Sequence, residues 1–195
     1  NAGNVNSSSI SENATAASGV KQFIFVSEQT MNGHLGIGTS GLPPADTSCT
    51  TWGRSGSLTA PMGSTKNWRA VLSAWATANA AARMAILGAV YMRVSYSPLT
   101  DVKIAESYPA MFSANLLSNI YMSQNGGMPL RKVWTGSNAS GLVDPGRDCS
   151  LFQSGSNVNF GSVGWNLSIN SGWIYAPLDG QTCDQLASIY CLSQD

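Results

Sequence analysis

The stretch "QTCDQLASIYCLSQD", residues 181–195, carries two of the chain's four cysteines, Cys183 and Cys191, eight positions apart. The other two, Cys49 and Cys149, lie far upstream. What this tail is tied to decides the fold. The chain has no C-x-x-C pair, and His34 is its one histidine, so the ligands of a Cys₂His₂ zinc site are lacking. The spacings fit two disulfides in an exported protein, and the residues alone leave three pairings open.

Working outward, 195 residues suffice for one domain with a core that does not depend on staples. The chain is 43% hydrophobic and only 10% charged, against about 25% charged in an average soluble domain. Its polarity comes from Ser, Thr, Asn, Gln and Gly, a surface common among exported β-rich proteins. Formal net charge is zero, so no global field draws the molecule to nucleic acid or to a membrane surface. A polyanion would have to meet a local basic cluster. The longest weakly polar run, "AWATANAAARMAILGAVYM", is broken by Asn79 and Arg83 and falls short of a membrane span, so no membrane insertion is expected. The sequence starts at Asn1 without methionine or signal peptide, which fits a processed product or an excised fragment.

Residues 1–19, "NAGNVNSSSISENATAASG", are small and polar and read as a leader or trimerisation tether. The folded domain is expected over 20–195. "VKQFIFVSEQT" supplies apolar side chains to both faces of a buried strand. After a Gly-rich loop, Pro43 and Pro44 suit the first turn of a short helix carrying Cys49 and Trp52. "NWRAVLSAW" and "AVYMRVSYS" read as strands, and "TANAAARMAILG" between them as a helix capped by Gly88. A short helix around "YPAMFSANLL", the turn "NGGMP" and the strand "RKVWTG" follow. From Ser137 onward, short strands alternate with Gly, Asn and Ser loops. The class expected is α+β, with two or three short helices on twisted, mostly antiparallel strands joined by long loops.

The ordered series "PADTSC", "NWRAVLSAW", "VWTGSNASG", "DCSLF" and "TCDQLASIYC" resembles the endostatin-like branch of the C-type-lectin-like fold. That family shows a Gly-Ala-Asp-x-x-Cys helix, an aromatic-Arg-Ala-aliphatic-Leu-Ser strand, a Val-Trp-x-Gly strand and a closing Cys-x₇-Cys pair. The landmarks span residues 21–195. The resemblance implies nested disulfides, Cys49 with Cys191 and Cys149 with Cys183. In the chain-entropy view each stabilises by roughly 3–5 kcal/mol. It also implies a last strand held against the first helix. Endostatin itself is strongly basic, binds heparan sulfate through arginines and holds zinc with N-terminal histidines. This chain has ten basic residues and no N-terminal histidine, so zinc is not carried over. The Glu-Pro-Asn, Gln-Pro-Asp and Trp-Asn-Asp strings of calcium-dependent lectins are absent as well. No metal and no cofactor is expected.

For catalysis, His34 in "MNGHLGIG" has no neighbouring nucleophile motif. The carboxylate pairs Asp144 with Asp148 and Asp179 with Asp184 are close enough in sequence to raise glycoside chemistry, though Asp144-Pro-Gly is turn chemistry. Asp144 and Asp148 could also hold loop calcium, but lack the alternating acids of a dedicated site. For recognition, the candidate glycan-binding residues are Arg131, Lys132, Arg147, Lys103, Arg54, Trp165 and Trp173. Three or four clustered cations would grip a sulfated sugar through charge-assisted hydrogen bonds, and the tryptophans would stack on sugar rings. Arg69 is expected half-buried and paired, and Trp134 in the core.

Endostatin modules follow collagen triple helices, and bacterial collagen-like adhesins of the Legionella type end in a globular trimeric domain. The resemblance therefore implies a secreted or cell-surface homotrimeric adhesin head that is not an enzyme. Its partner would be a sulfated glycosaminoglycan or another matrix glycan. The alternatives are protein recognition through the Gly/Asn/Ser loops, and a glycan hydrolase.

Overall fold

A computed structural model describes residues 21–36, 42–75, 77–84, 88–129 and 131–194. The leader expected over 1–19 lies outside them. Strand β1 (Gln22–Val26) is buried along its whole length. Side chains alternate across a strand, so Phe23 and Phe25 enter one core while Ile24 and Val26 enter the other. On one side β1 runs parallel to β3 (Val90–Tyr96), and β3 turns back antiparallel into β4 (Leu99–Ala105).

On its other side β1 meets the tail. Strand β9 (Ser188–Ser193), cut from the stretch quoted first, is buried at every residue and lies antiparallel to β1. The opposite edge of β9 is shared by two strands. Its first half pairs parallel with β5 (Lys132–Trp134) through Ser188 and Ile189. Its second half pairs antiparallel with β2 (Trp68–Ala70) through Cys191, Leu192 and Ser193. Strand β7 (Val163–Trp165) then flanks β5, and β6 (Phe160–Gly161) with β8 (Gln181–Thr182) make a small separate ladder. The sheet is mixed and mostly antiparallel, with few helices, which places the fold in the α+β class.

Helix α1 (Leu42–Ser55) opens with Pro43 and Pro44 in its first turn, where a missing N–H costs nothing. Its buried residues Leu42, Ala45, Cys49 and Gly53 lie along one stripe. That stripe seats on the Phe23, Phe25 and Trp68 face of the sheet, together with both disulfides. The opposite core holds Tyr108, Met111, Ile120, Trp173 and Tyr190. The disulfides are Cys49–Cys191 and Cys149–Cys183, separated by 142 and 34 positions. This is the nested pairing that the resemblance implied.

Two shorter elements complete the helices. One is α2 (Ala110–Ser113), within the stretch expected to be helical. The other is α3 (Cys149–Phe152), a single turn whose four residues all have positive φ, from 52° to 63°. It is therefore wound left-handed, a conformation costing roughly 1–2 kcal/mol for each residue bearing a Cβ.

The helix expected over "TANAAARMAILG" is not formed in its described part, which folds into bridges and turns. Alanine propensity is outbid by tertiary hydrogen bonds. Ala80 N–H donates to Ser73 Oγ (2.7 Å), the Ala80 carbonyl accepts from Tyr108 Oη (2.5 Å), and Asn79 Oδ1 takes the Ala82 N–H (2.9 Å). Arg83, which broke the apolar run, reaches across to Asp46 (2.6 Å) and the Ala70 carbonyl (2.7 Å).

Candidate functional site

The segment between Ser137 and Gly180 carries β7, which pairs with β5, and Cys149 of the inner disulfide. Gly136, at the end of β5, has φ 58°, and a Cβ there would collide with the Ser73 carbonyl. The Val-Trp-x-Gly landmark thus marks a close backbone crossing as well as a strand. Trp134 is fully buried and donates its indole N–H to the Met31 carbonyl (2.8 Å). Beyond it, the left-handed turn presents Asp148 beneath its own amides. Burial pushes the Asp148 carboxyl up, the turn's N–H groups hold it down, and the Asp144 charge adds a smaller upward push.

Three of the candidate glycan-binding residues come together on this face. Trp165 ends β7 and Lys132 begins β5, and the register sets them side by side. The Lys132 ammonium lies 5.5 Å from the centre of the Trp165 ring. Both are fastened to Asp179: the indole N–H donates to Oδ2 (2.8 Å), and Lys132 Nζ donates to the backbone carbonyl (3.2 Å) and stands 3.7 Å from Oδ1. Arg147 lies against neighbouring Gly180, where a side chain would displace its guanidinium. Arg147 also faces Asp144 (Nε to Oδ2, 3.8 Å), and Asp144 accepts a hydrogen bond from Ser162 Oγ. Trp165 remains 37% exposed. The result is a fixed, half-open aromatic face rimmed by two cations and two carboxylates, so its charges balance.

The remaining candidates sit elsewhere. Arg131 turns away from Lys132 and donates to the Glu28 carbonyl (2.7 Å). Lys103, on β4, pairs with Glu106 (3.0 Å), which raises its pKa, and lies near the Tyr91 ring. Trp173 is a core residue, 1% exposed, with its indole N–H on the Met111 carbonyl. A residue so enclosed cannot stack on a sugar, and it leaves the candidate set. The basic residues therefore do not form one patch.

Arg54 lies apart from them, in a cleft of about 580 Å³ between α1 and β2. Its guanidinium is held by the carbonyls of Lys66 (2.9 Å) and Thr65 (3.0 Å) and by Asn67 Oδ1 (2.9 Å). Arg69 lines the same cleft; expected half-buried, it is exposed and donates to the Arg83 carbonyl (3.1 Å). Asp46 closes one end. Its Oδ1 takes the Ala70 N–H (2.9 Å) and its Oδ2 takes Arg83 (2.6 Å). Burial raises its pKa, with Arg83 the chief opposing influence. Neither Asp46 nor Arg83 was assigned a role from sequence, although Asp46 stands inside the quoted "PADTSC" landmark.

For the catalytic alternatives, His34 is exposed and bridges by backbone to Gln153. Asp184 is exposed, and Asp179 is engaged by Trp165 and Lys132. Among the described residues no group of three or more His, Cys, Asp or Glu gathers as metal ligands would. Comparison with protein-family models and with curated proteins returns no match, so the functional reading rests on this geometry.

Proposed function

We propose that the chain is an exported binding domain without catalytic activity, an adhesin head of the endostatin-like, C-type-lectin-like kind, that recognises matrix glycans through the Trp165 face. The observation that carries the reading is the pinned, half-exposed indole of Trp165, with Lys132 over one side of its ring and Arg147 nearby. A flat aromatic ring held by its polar edge offers its face to the C–H side of a sugar, and adjacent cations take hydroxyl or sulfate oxygens. Holding the ring in place beforehand lowers the entropy cost of binding. Two disulfides are compatible with export, and among the described residues no helix is long and apolar enough to cross a membrane.

Because the face is charge-balanced, a single copy binds a sulfated chain weakly. A homotrimer sets three such faces side by side and gains through multivalency. The test is heparin chromatography with light scattering of the same sample. A trimer retained at low salt and released as salt rises is expected, with Trp165→Ala binding about fivefold or more weaker. Passage straight through the column at low salt ends the sulfated-glycan reading.

A second reading has its own support. Eight large apolar side chains between Leu142 and Leu186 are exposed, Leu178 at 97%. Such a surface suits protein recognition through the loops, and binding of that kind would be insensitive to salt.

A further inference from the structure

We propose that the cleft between α1 and β2 is a second binding site, which takes an oxyanion carried on a polyhydroxylated ring, either a uronate carboxylate or a sugar sulfate. Its volume of about 580 Å³ falls within the roughly 300–1,000 Å³ of small-molecule sites. Its walls differ from the usual apolar lining. Thr47, Thr51 and Arg54 lie at i, i+4 and i+7 on the exposed face of α1. Asn67 and Arg69 face them from the β2 side, and Gln194 joins from the end of β9. Hydroxyls, amides and guanidinium groups suit a polyol better than an apolar ligand.

Charge gives the site its sign. Among the described residues many cations lie beside carboxylates: Lys21 and Arg93 at Asp101, Lys103 at Glu106, Lys132 at Asp179, Arg147 at Asp144. In the cleft the carboxylate of Asp46 is already paired with Arg83 and the Ala70 N–H, and Arg69 acts on it more weakly from a distance. The hydrogen bonds of Arg54 and Arg69 go to neutral acceptors. Among the described residues, two exposed guanidinium groups therefore stand in excess over the acid in this cleft. Both are also held in place: Arg54 is anchored through Nε and Nη2, and Arg69 through Nη1. Planar forks fixed in advance match planar or tetrahedral oxyanions with little ordering cost. This site does not depend on the Trp165 face, which lies on other strands and has no surplus charge.

The test is a titration of ¹⁵N-labelled protein followed by NMR, with sodium glucuronate, glucose 6-sulfate, glucose and inorganic sulfate as probes. Saturable shifts are expected at the Nε–H groups of Arg54 and Arg69 and at the Thr47 and Thr51 amides with one or both ring oxyanions. The arm that responds identifies the anion. Glucose and inorganic sulfate should bind about tenfold or more weakly, because each lacks half of what the cleft contacts. Arg69→Gln and Thr51→Val should each weaken the response while leaving the spectrum elsewhere unchanged, and Trp165→Ala should leave it intact. Four results overturn the proposal: no saturable shift with either ring oxyanion, glucose binding as well as glucuronate, inorganic sulfate binding as well as the sugar sulfate, or loss of the response in Trp165→Ala. Heparin retention reports on the Trp165 face separately, so the two readings fail independently.

Discussion

Ser150 sits at φ 55°, ψ 56° in a left-handed turn, and its side chain is exposed. The strain is imposed by its neighbours: Cys149 is bridged to Cys183, and Phe152 is buried in the core. Relieving it at Ser150 should therefore stabilise the protein. Ser150→Gly is expected to raise unfolding free energy by about 0.5 kcal/mol, the left-handed cost removed exceeding the entropy glycine adds to the unfolded chain. Ser150→Val, branched at Cβ, should lower it by about 1 kcal/mol or more. Urea denaturation of the pair checks the claim, and a stabilising valine refutes it.

Asp148 gives a second prediction at this scale. Its folded pKa is raised above the ordinary 3.8, chiefly by burial. The folded state thus binds a proton more tightly than the unfolded state between those two values. By linkage, this group's contribution to stability increases as pH falls through its folded pKa towards 3.8 and is lost as pH rises. Asp148→Asn should flatten the pH dependence of stability in that window, and an unaltered curve from thermal melts would count against the assignment.

At the level of elements, what the sequence disclosed depended on whether the signal was local. The buried strands β1 and β3 and helix α1 carry their own marks, an unbroken apolar run in "QFIFV" and paired prolines above a stripe of small residues. The alanine stretch after Trp75 had an equally strong local mark and was misread. Its fate is set by Ser73, Tyr108 and Asp46, which lie on other elements. Strand β4 escaped notice because "PLTDVKIA" has no clean alternation. Its Asp101 pairs with Arg93 on β3 and with Lys21 just before β1, so a polar residue stands where an alternating pattern would place an apolar one.

The same contrast governs the site. Lys132, Arg147 and Trp165 were named for their side-chain types, but their meeting around Asp179 required the β5–β7 register. Trp173 shares Trp165's polar flanks in sequence and goes to the core instead, because the short 3-10 turn at Ser171–Trp173 drops it beneath the loop. The cleft over α1 was half legible, through Arg54 alone. Its partners depend on how α1 docks against β2, the next strand in the chain, and on Gln194, which β9 brings back from the far end of the sequence.

Across the whole molecule, the two bridges constrain unequal lengths of chain. Chain entropy assigns about 5 kcal/mol to the outer loop and about 4 kcal/mol to the inner one. Replacing Cys49 and Cys191 together by alanine should accordingly lower the midpoint of thermal unfolding more than replacing Cys149 and Cys183. Calorimetry of the two double variants decides it; the reverse order would show that the inner bridge's hold on the left-handed turn outweighs loop length.

The central position of β9 has a consequence for how the molecule is made. Ile24 waits for Leu192, Arg69 for the same residue, and Val133 for Ser188. Three strands from three distant parts of the chain have no common neighbour until residues 188–193 arrive. Synthesis from the amino end delivers residues 188–193 after all three strands they join, so those strands cannot be locked into one sheet until β9 has been made.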